Sequence, residues 1–279
     1  MGARSLPSIG PSQKGRPALE QGNNVKLQGL QEYIRRDSSY RAFVARAQEI
    51  VFERAGDGRF PALSLGLLTA ARPYVLAALQ RDWPGPVIVI ASRPEQARLL
   101  HDEARAWSVQ PERVLMFPPP DALFYDRTPW HPETIHGRVS VLAELSALAR
   151  EGIKGGGQGL IVTTSVWALM VKTISPLAFR RATFALYIGQ IEPPYELIAR
   201  CIRAGYEPVA VVEEPGTISH RGSIVDIYPP NLSEPLRIDF FGDEIDSMRT
   251  FDPATQRSIA SVQEATIAPA TEALPEWGK

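Results

Sequence analysis

The chain contains 279 residues, of which 44% are hydrophobic, enough to bury one large core or two smaller ones. Its formal net charge of −1 predicts no particular partner. A single cysteine, Cys201, excludes an intrachain disulfide and a cysteine-ligated metal cluster, and it fits a reducing cytoplasm. No apolar run approaches the roughly 20 residues of a membrane-spanning helix, so we expect a cytoplasmic chain without membrane contact.

Charge is distributed unevenly along the chain. Residues 182–268 contain six arginines, no lysine and thirteen acidic residues, a net charge of −7, and the remainder carries +6. Affinity for nucleic acid comes largely from cationic side chains that displace counterions, so the acidic region is a poor binder of phosphate backbone. It is better suited to a protein partner with a basic patch.

The chain begins with a tail that is followed by helices. Residues 1–25 are rich in Gly, Pro, Ser and Gln and are expected to be disordered. A helical pattern spans 27–55, and the cluster at Asp37 can split it by offering a second N-cap. Another helix is predicted over 67–80, with Pro73 near its first turn or at a kink.

Short apolar strands then alternate with helices. The predicted strands cover residues 87–91, 114–117 and 160–164, and the first and last of them are expected to be buried. Helices are predicted from Ser92 to Trp107 and over 135–150, with a proline-rich loop before the second and a glycine-rich loop over 151–159. Repeated βα units indicate a parallel sheet with flanking helices. The pattern becomes antiparallel near residue 182, which marks a domain boundary.

Residues 214–258 have the pattern of a β-meander. After a turn at Gly216, strands are predicted over 220–228, 236–241 and 245–251, the last two joined by a turn at 242–244. Period-two alternation assigns Leu236, Ile238 and Phe240 to the core, and Arg237, Asp239 and Phe241 to the opposite face. An arginine and a phenylalanine on a solvent face suggest a docking surface. Upstream, Cys201 lies in a helical pattern and is expected in the core or at its boundary.

Several ordered blocks resemble the N-terminal UvrB-like module of the bacterial transcription-repair coupling factor family. They are GPVIVIASRPEQARLLHDEARAW, FPPPDALFYDRTPW, GRVSVLAEL, LIVTTSVWAL, RGSIVDIYPP and PLRIDFFGDEIDSMRTFDPATQRS. The resemblance implies an α/β fold in two domains. Residues 26–181 would form a parallel-sheet, helicase-like domain similar to UvrB domain 1a, with a degenerate nucleotide site. Residues 182–268 would form a smaller mixed α/β domain of the UvrA-binding type, and 269–279 a linker toward a C-terminal part.

The resemblance also implies a binding site. In the family the smaller domain binds UvrA, the damage-recognition ATPase of nucleotide excision repair, through positions that correspond to Arg221, Arg237 and Phe241. Arginine with an aromatic residue is a common hot-spot composition, and Arg221 can add a charge-assisted bond. The alternative is that Arg237 pairs with Asp239 or Asp246 within the sheet, and that Phe241 caps the edge of the core.

Nucleotide hydrolysis is the first enzymatic alternative, because the resembled UvrB binds ATP on this fold. A phosphate-binding loop needs G-x-x-x-x-G-K-[ST]. Residues 63–74 keep Gly66 and Thr69 but lack the Gly-Lys pair, and Pro73 removes an N–H that would meet phosphate. The glycine-rich 151–159 lacks the pair too. We therefore expect no catalytic residue, no cofactor and no ATPase activity in this segment, whereas the full-length family uses ATP and magnesium.

Histidine chemistry is sparse. His101 is expected to face solvent, and His220 to bond a carbonyl or lie at a docking surface. His131 and His136, with Glu133 between them, lie in a predicted loop and form a weak metal candidate, because no further ligand is near.

Direct damage recognition requires a structure that the chain has no room for. In UvrB a long aromatic hairpin follows the motif that Phe124-Tyr125-Asp126 resembles, and the stretch from Asp126 to Arg138 is too short for it. Phe124, Tyr125 and Trp130 can stack on bases, but in a proline-rich loop they are expected to pack against the first domain.

The sequence thus predicts a docking module that recruits UvrA to stalled RNA polymerase in transcription-coupled nucleotide excision repair. The family's C-terminal part, which binds RNA polymerase and translocates on duplex DNA, would lie beyond residue 279, and in the family it can mask the UvrA surface. The alternative function is a nucleotide-binding helicase or UvrB-like damage-binding subunit that contacts DNA directly.

Overall fold

A computed structural model describes residues 27–53, 62–121, 130–151 and 159–273. The predictions for the N-terminal tail, for most of the glycine-rich loop and for Phe124, Tyr125 and Asp126 lie outside the described residues. Within those ranges, no helix is both long enough and apolar enough to cross a membrane.

Helices and strands alternate in the first half of the chain, and strands dominate the second. The helices are α1 (Gln31–Arg36), α2 (Ser38–Glu53), α3 (Arg72–Asp82), α4 (Pro94–Trp107), α5 (Pro132–Glu151), α6 (Val166–Leu169), α7 (Pro176–Ala182) and α8 (Pro194–Arg203). The strands are β1 (Val87–Ala91), β2 (Val114–Phe117), β3 (Ile161–Ser165), β4 (Phe184–Tyr187), β5 (Glu207–Pro208), β6 (Thr217–Arg221), β7 (Ile224–Ile227), β8 (Leu236–Phe241), β9 (Glu244–Phe251), β10 (Ser258–Ser261) and β11 (Glu264–Ile267).

Local sequence signals account for the starts of the first helices. The Asp37 carboxylate accepts a hydrogen bond of 2.9 Å from the backbone N–H of Tyr40, so it caps α2 and separates that helix from α1 as predicted. Pro73 lies in the first turn of α3, where its missing N–H costs nothing. Of the two positions predicted for this proline, the first turn is therefore correct.

The first half of the chain is built on a three-stranded parallel sheet in the order β1-β3-β2. Side chains of α3 and α4 pack on one face of it and those of α5 on the other. The prediction that β1 is fully buried is wrong, since Ile88 and Ile90 are 52% and 55% exposed. The reason is that β1 is an edge strand, while the described side chains of α5 pack over β2 and β3.

The second half contains a six-stranded sheet in the order β10-β9-β8-β7-β6-β5 and a two-stranded sheet of β11 and β4. All neighbours in the larger sheet are antiparallel except β5 and β6. Its inner face packs against α8, where Leu197 and Cys201 are fully buried, as predicted for the cysteine. Leu236, Ile238 and Phe240 also lie in this core, which confirms the predicted alternation.

One predicted strand of the meander is in fact two. The strand expected over 220–228 turns back at Gly222 and Ser223, so that Arg221 pairs with Ile224. Gly222 has φ of +61°, a conformation that suits a two-residue hairpin turn and that glycine adopts without strain. Strand β9 begins at Glu244, one residue earlier than predicted, and β10 and β11 were not predicted at all.

The two halves are joined by a buried ion pair. Arg138 of α5 is fully buried, and its guanidinium donates to both carboxylate oxygens of Glu272, which follows β11. A third guanidinium bond of 3.0 Å reaches the carbonyl of Pro118, and the group stacks on the ring of Phe117 at 4.1 Å. The chain after β11 is thereby fixed to α5.

Candidate protein-docking surface

The outer face of the six-stranded sheet carries all three residues predicted to bind a partner. The register pairs Arg221 with Ile224, Ile224 with Asp239, and Arg237 with Asp226. Because directly paired residues project to the same side of a sheet, these side chains lie opposite the buried core face. Phe241 continues the alternation beyond Asp239 on this side, since Phe240 fills the core.

Phe241 is the most exposed aromatic side chain of this face. It lies at the end of β8, next to the two-residue turn at Gly242 and Asp243, and is 81% exposed. The alternative that it caps the core edge is therefore wrong. A β-bulge in β9 keeps the side chain of Glu244 on the same side as Phe241, because Asp246 is an extra residue opposite the step from Asp239 to Phe240.

Arg237 is held by the sheet and is only 18% exposed. Its Nε and Nη2 donate to the two carboxylate oxygens of Asp226 at 2.7 and 2.8 Å. Further bonds reach Gln256, and the guanidinium stacks on Phe251 at 4.4 Å. Pairing within the sheet thus occurs, but with Asp226 in place of the predicted Asp239 or Asp246. The bond to Asp226 is the main cause of the raised pKa of Arg237.

Asp239 and Arg221 are two further charged residues of this face, and their bonds differ from those of Arg237. Asp239 accepts from Arg249 and, at 3.0 Å, from the hydroxyl of Ser247. Arg221 is exposed and uses one Nη2–H to bond the carbonyl of Ala210 at 2.8 Å. Among the described residues no other group accepts from its guanidinium, so the remaining donors can reach an incoming acceptor, which agrees better with a contact role than the enclosed position of Arg237 does.

Comparison with known proteins agrees with this geometry. Residues 184–272 match the family described as the UvrB interaction domain. Residues 184–272 are therefore similar to this family, and we refer to them below as the UvrB interaction domain. The match begins at the first residue of β4 and ends at Glu272, so it includes the whole six-stranded sheet and its outer face.

Three relatives match a longer part of the chain than this family does. All three are described as a transcription-repair-coupling factor. The chain is 35% identical to the factor of Myxococcus xanthus over 215 residues, which are 75% of this chain and 17% of the relative. It is 32% identical to that of Escherichia coli over 221 residues, 78% of this chain and 18% of the relative. It is 26% identical to the factor of Bacillus subtilis over 249 residues, which are 89% of this chain and 20% of the relative. These matches confirm the resemblance to this family, and the chain spans about a fifth of the length of these relatives.

Two exposed hydrophobic residues of the UvrB interaction domain were missed by sequence reasoning. Ile191 and Tyr195, between β4 and the first turn of α8, are 78% and 68% exposed. Ile191 forms an isolated antiparallel bridge to Glu244, which brings it beside the Phe241 hairpin. No periodicity marks these positions, because the contact joins segments that are distant in sequence.

The histidines outside this face do not assemble a metal site. His136 lies in α5, not in the predicted loop, and shares a cavity of about 710 Å³ with His131, Glu133 and Glu214. Among the residues that the structure describes, no three His, Cys, Asp or Glu side chains are placed to hold a metal. Burial lowers the pKa of His136 and of His101, which is half-buried where exposure was predicted.

The remaining chemical candidates are also accounted for. Burial raises the pKa of Cys201 to about 12, so its thiol stays protonated at neutral pH and is a poor nucleophile. Residues 62–68 have no regular secondary structure, and a Cβ added at Gly66 would meet nothing within 4 Å. That glycine therefore marks no close approach of backbone, unlike the glycines of a phosphate loop.

Proposed function

We propose that this chain is a protein-docking module that binds UvrA through the outer face of its UvrB interaction domain. The observation that carries the proposal is the exposed Phe241 on a face that the family match includes entirely. Arg221, exposed on the same face, supplies charge-assisted hydrogen bonds. Arg237 acts indirectly, because its pairing with Asp226 keeps β7 and β8 in register below the contact residues.

The proposed role in the cell is recruitment of UvrA to stalled RNA polymerase during transcription-coupled nucleotide excision repair. The relatives' description as transcription-repair-coupling factors supports it. RNA polymerase and duplex DNA are partners proposed for a protein of the relatives' full length, as are ATP and magnesium as its cofactors and masking of the UvrA surface by its C-terminal part. The compartment proposed is the cytoplasm.

The segment itself is proposed to lack ATPase activity and to need no cofactor. In this proposal, residues 26–181 are a helicase-like domain whose nucleotide site has degenerated, and residues 182–268 are the docking domain, followed by a linker over 269–279. The missing Gly-Lys pair and the buried Pro73 at the start of α3 support it. An assay of ATP binding tests this part: saturable binding of ATP by the chain would contradict it.

Binding of purified UvrA to the immobilised chain tests the docking site. We expect Arg221→Ala and Phe241→Ala each to weaken binding, by about 2 kcal/mol or more if they are hot spots. Ile259→Ala is the matched control, because Ile259 is a 54% exposed hydrophobic residue of β10 in the same sheet. Unchanged binding by the double variant Arg221→Ala/Phe241→Ala would contradict the site.

The second candidate function is direct contact with DNA as a helicase or UvrB-like damage-binding subunit. The excess positive charge outside residues 182–268 favours it. Duplex DNA binding that weakens steeply with added salt would support this function, and no binding at low salt would dismiss it.

A further inference from the structure

The backbone fixes Ile191 and Glu244 as direct neighbours on the outer face. Hydrogen bonds of 2.8 Å from Glu192 N–H to the Asp243 carbonyl and of 2.9 Å from Ile245 N–H to the Gln190 carbonyl lie on either side of the pair. This is the pattern of a non-hydrogen-bonded antiparallel pair, in which the two side chains project to one side with Cβ atoms about 5 Å apart.

Phe241 is the other neighbour of Glu244. The two residues pair across the Gly242-Asp243 turn, so their side chains also share a side of the sheet. Phe241, Glu244 and Ile191 therefore form a row of three, with the carboxylate between two hydrophobic side chains. All three are exposed, Phe241 at 81% and Ile191 at 78%.

The carboxylate of Glu244, in the middle of this row, has no bonding partner in the described part of the chain. Three other acids of the domain, Asp226, Asp239 and Glu192, are paired with arginines of the same domain. Within the described ranges the carboxylate of Glu244 takes part in no ion pair or hydrogen bond. The region is strongly acidic, and an exposed carboxylate flanked by two hydrophobic side chains is complementary to a cationic side chain that arrives from outside.

We infer that this row, the Phe241-Glu244-Ile191 row, receives an arginine side chain of the partner protein. A guanidinium that binds Glu244 in a bidentate manner also lies against the ring of Phe241, where a cation is attracted within about 6 Å of the ring centroid. Ile191 covers the opposite side and excludes water, which strengthens the ion pair. Arginine fits better than lysine, because its planar group binds a carboxylate and stacks on an aromatic ring at once. The inference rests on the proposed function and adds the chemistry of the partner's contact residue.

The affinity of the chain for UvrA, measured at several salt concentrations, tests this inference. We expect Glu244→Gln to weaken binding roughly tenfold or more and to reduce its salt dependence. Ile191→Ser is expected to weaken binding several-fold. Asp246→Asn is the matched control, because Asp246 is an exposed acid two residues away that lies outside the row, and we expect a change of less than about twofold.

The outcomes separate this inference from the proposed function. Equal losses in Glu244→Gln and Asp246→Asn would show a general charge effect and overturn the arginine site, as would unchanged binding in Glu244→Gln. If Phe241→Ala weakens binding while Glu244→Gln and Ile191→Ser do not, the docking function stands and the inference fails. If the unaltered chain does not bind UvrA, both fail.

Discussion

Arg237 and Asp226 form a bidentate ion pair across β7 and β8, with N–O distances of 2.7 and 2.8 Å. The carboxylate side chain is only 5% exposed, so its charge depends on this arginine for compensation. Arg237 therefore belongs to the framework of the docking face more than to its contact surface. A loss of binding on replacing Arg237 would reflect a disturbed sheet as well as a lost contact.

The first prediction concerns the stability of this framework. We expect Arg237→Ala to lower the free energy of unfolding by about 2–4 kcal/mol, because it leaves a nearly buried carboxylate unpaired. Arg249→Ala is the matched control, since it breaks the more exposed pair with Asp239 and should cost about 1 kcal/mol or less. Urea denaturation of both variants measures the difference, and equal losses would contradict the assignment.

The second prediction concerns the pair that joins the two halves. Arg138→Met leaves Glu272 without its partner, and we expect a loss of about 3–5 kcal/mol in the free energy of unfolding. Adding Glu272→Gln removes the stranded charge, so the double variant should recover part of that loss. Simple additivity of the two single variants in denaturant titrations would show that the pair is not coupled.

The third prediction concerns pH. His101 and His136 have folded-state pKa values below the ordinary value of about 6.5, with burial as the main cause. The unfolded chain then binds more protons as pH falls below about 6.5, so stability is full above that pH and decreases toward the folded-state pKa values. Thermal unfolding between pH 8 and 5 should therefore show a falling melting temperature.

A double variant, His101→Gln with His136→Gln, should flatten this dependence, because both titrating groups are removed. His131→Gln is the control, since its side chain is exposed. The histidine explanation is wrong if the slope between pH 7 and 5 is the same in the double variant as in the unaltered chain.

The fourth prediction concerns Cys201, which lies in α8 and is buried in the core. With its pKa raised to about 12, the thiol should react with a thiol-specific reagent at pH 8 only after unfolding. Labelling should proceed slowly in buffer and rapidly in urea. Fast labelling under native conditions would show that the α8 core opens readily.

The sequence predicted the features of this surface that depend on a single strand. It missed those that depend on contacts between different segments. The alternation of Leu236, Ile238 and Phe240 was predictable, because period two is a property of one strand. If residues 220–228 formed the single predicted strand, Arg221 and Asp226 would project to opposite faces, because they are five positions apart. The two-residue turn after Arg221 returns the chain and places both on the outer face, and missing that turn concealed Asp226 as the partner of Arg237.

The partner of Glu244 was beyond the reach of any local pattern. Ile191 reaches it through an isolated bridge that depends on how β4, α8 and the β8–β9 hairpin pack together. The exposed face of β1 escaped prediction for a similar reason, since a run of apolar residues does not reveal which strand lies at the edge of a sheet.

The measurement that tests the central claim most directly is the affinity of the chain for UvrA, with Phe241→Ala compared against Ile259→Ala. We predict that the unaltered chain and Ile259→Ala bind equally well, and that Phe241→Ala binds about 30-fold more weakly, the equivalent of 2 kcal/mol. No binding by the unaltered chain, or equal affinities for the two variants, would contradict a docking function centred on the outer face of the UvrB interaction domain.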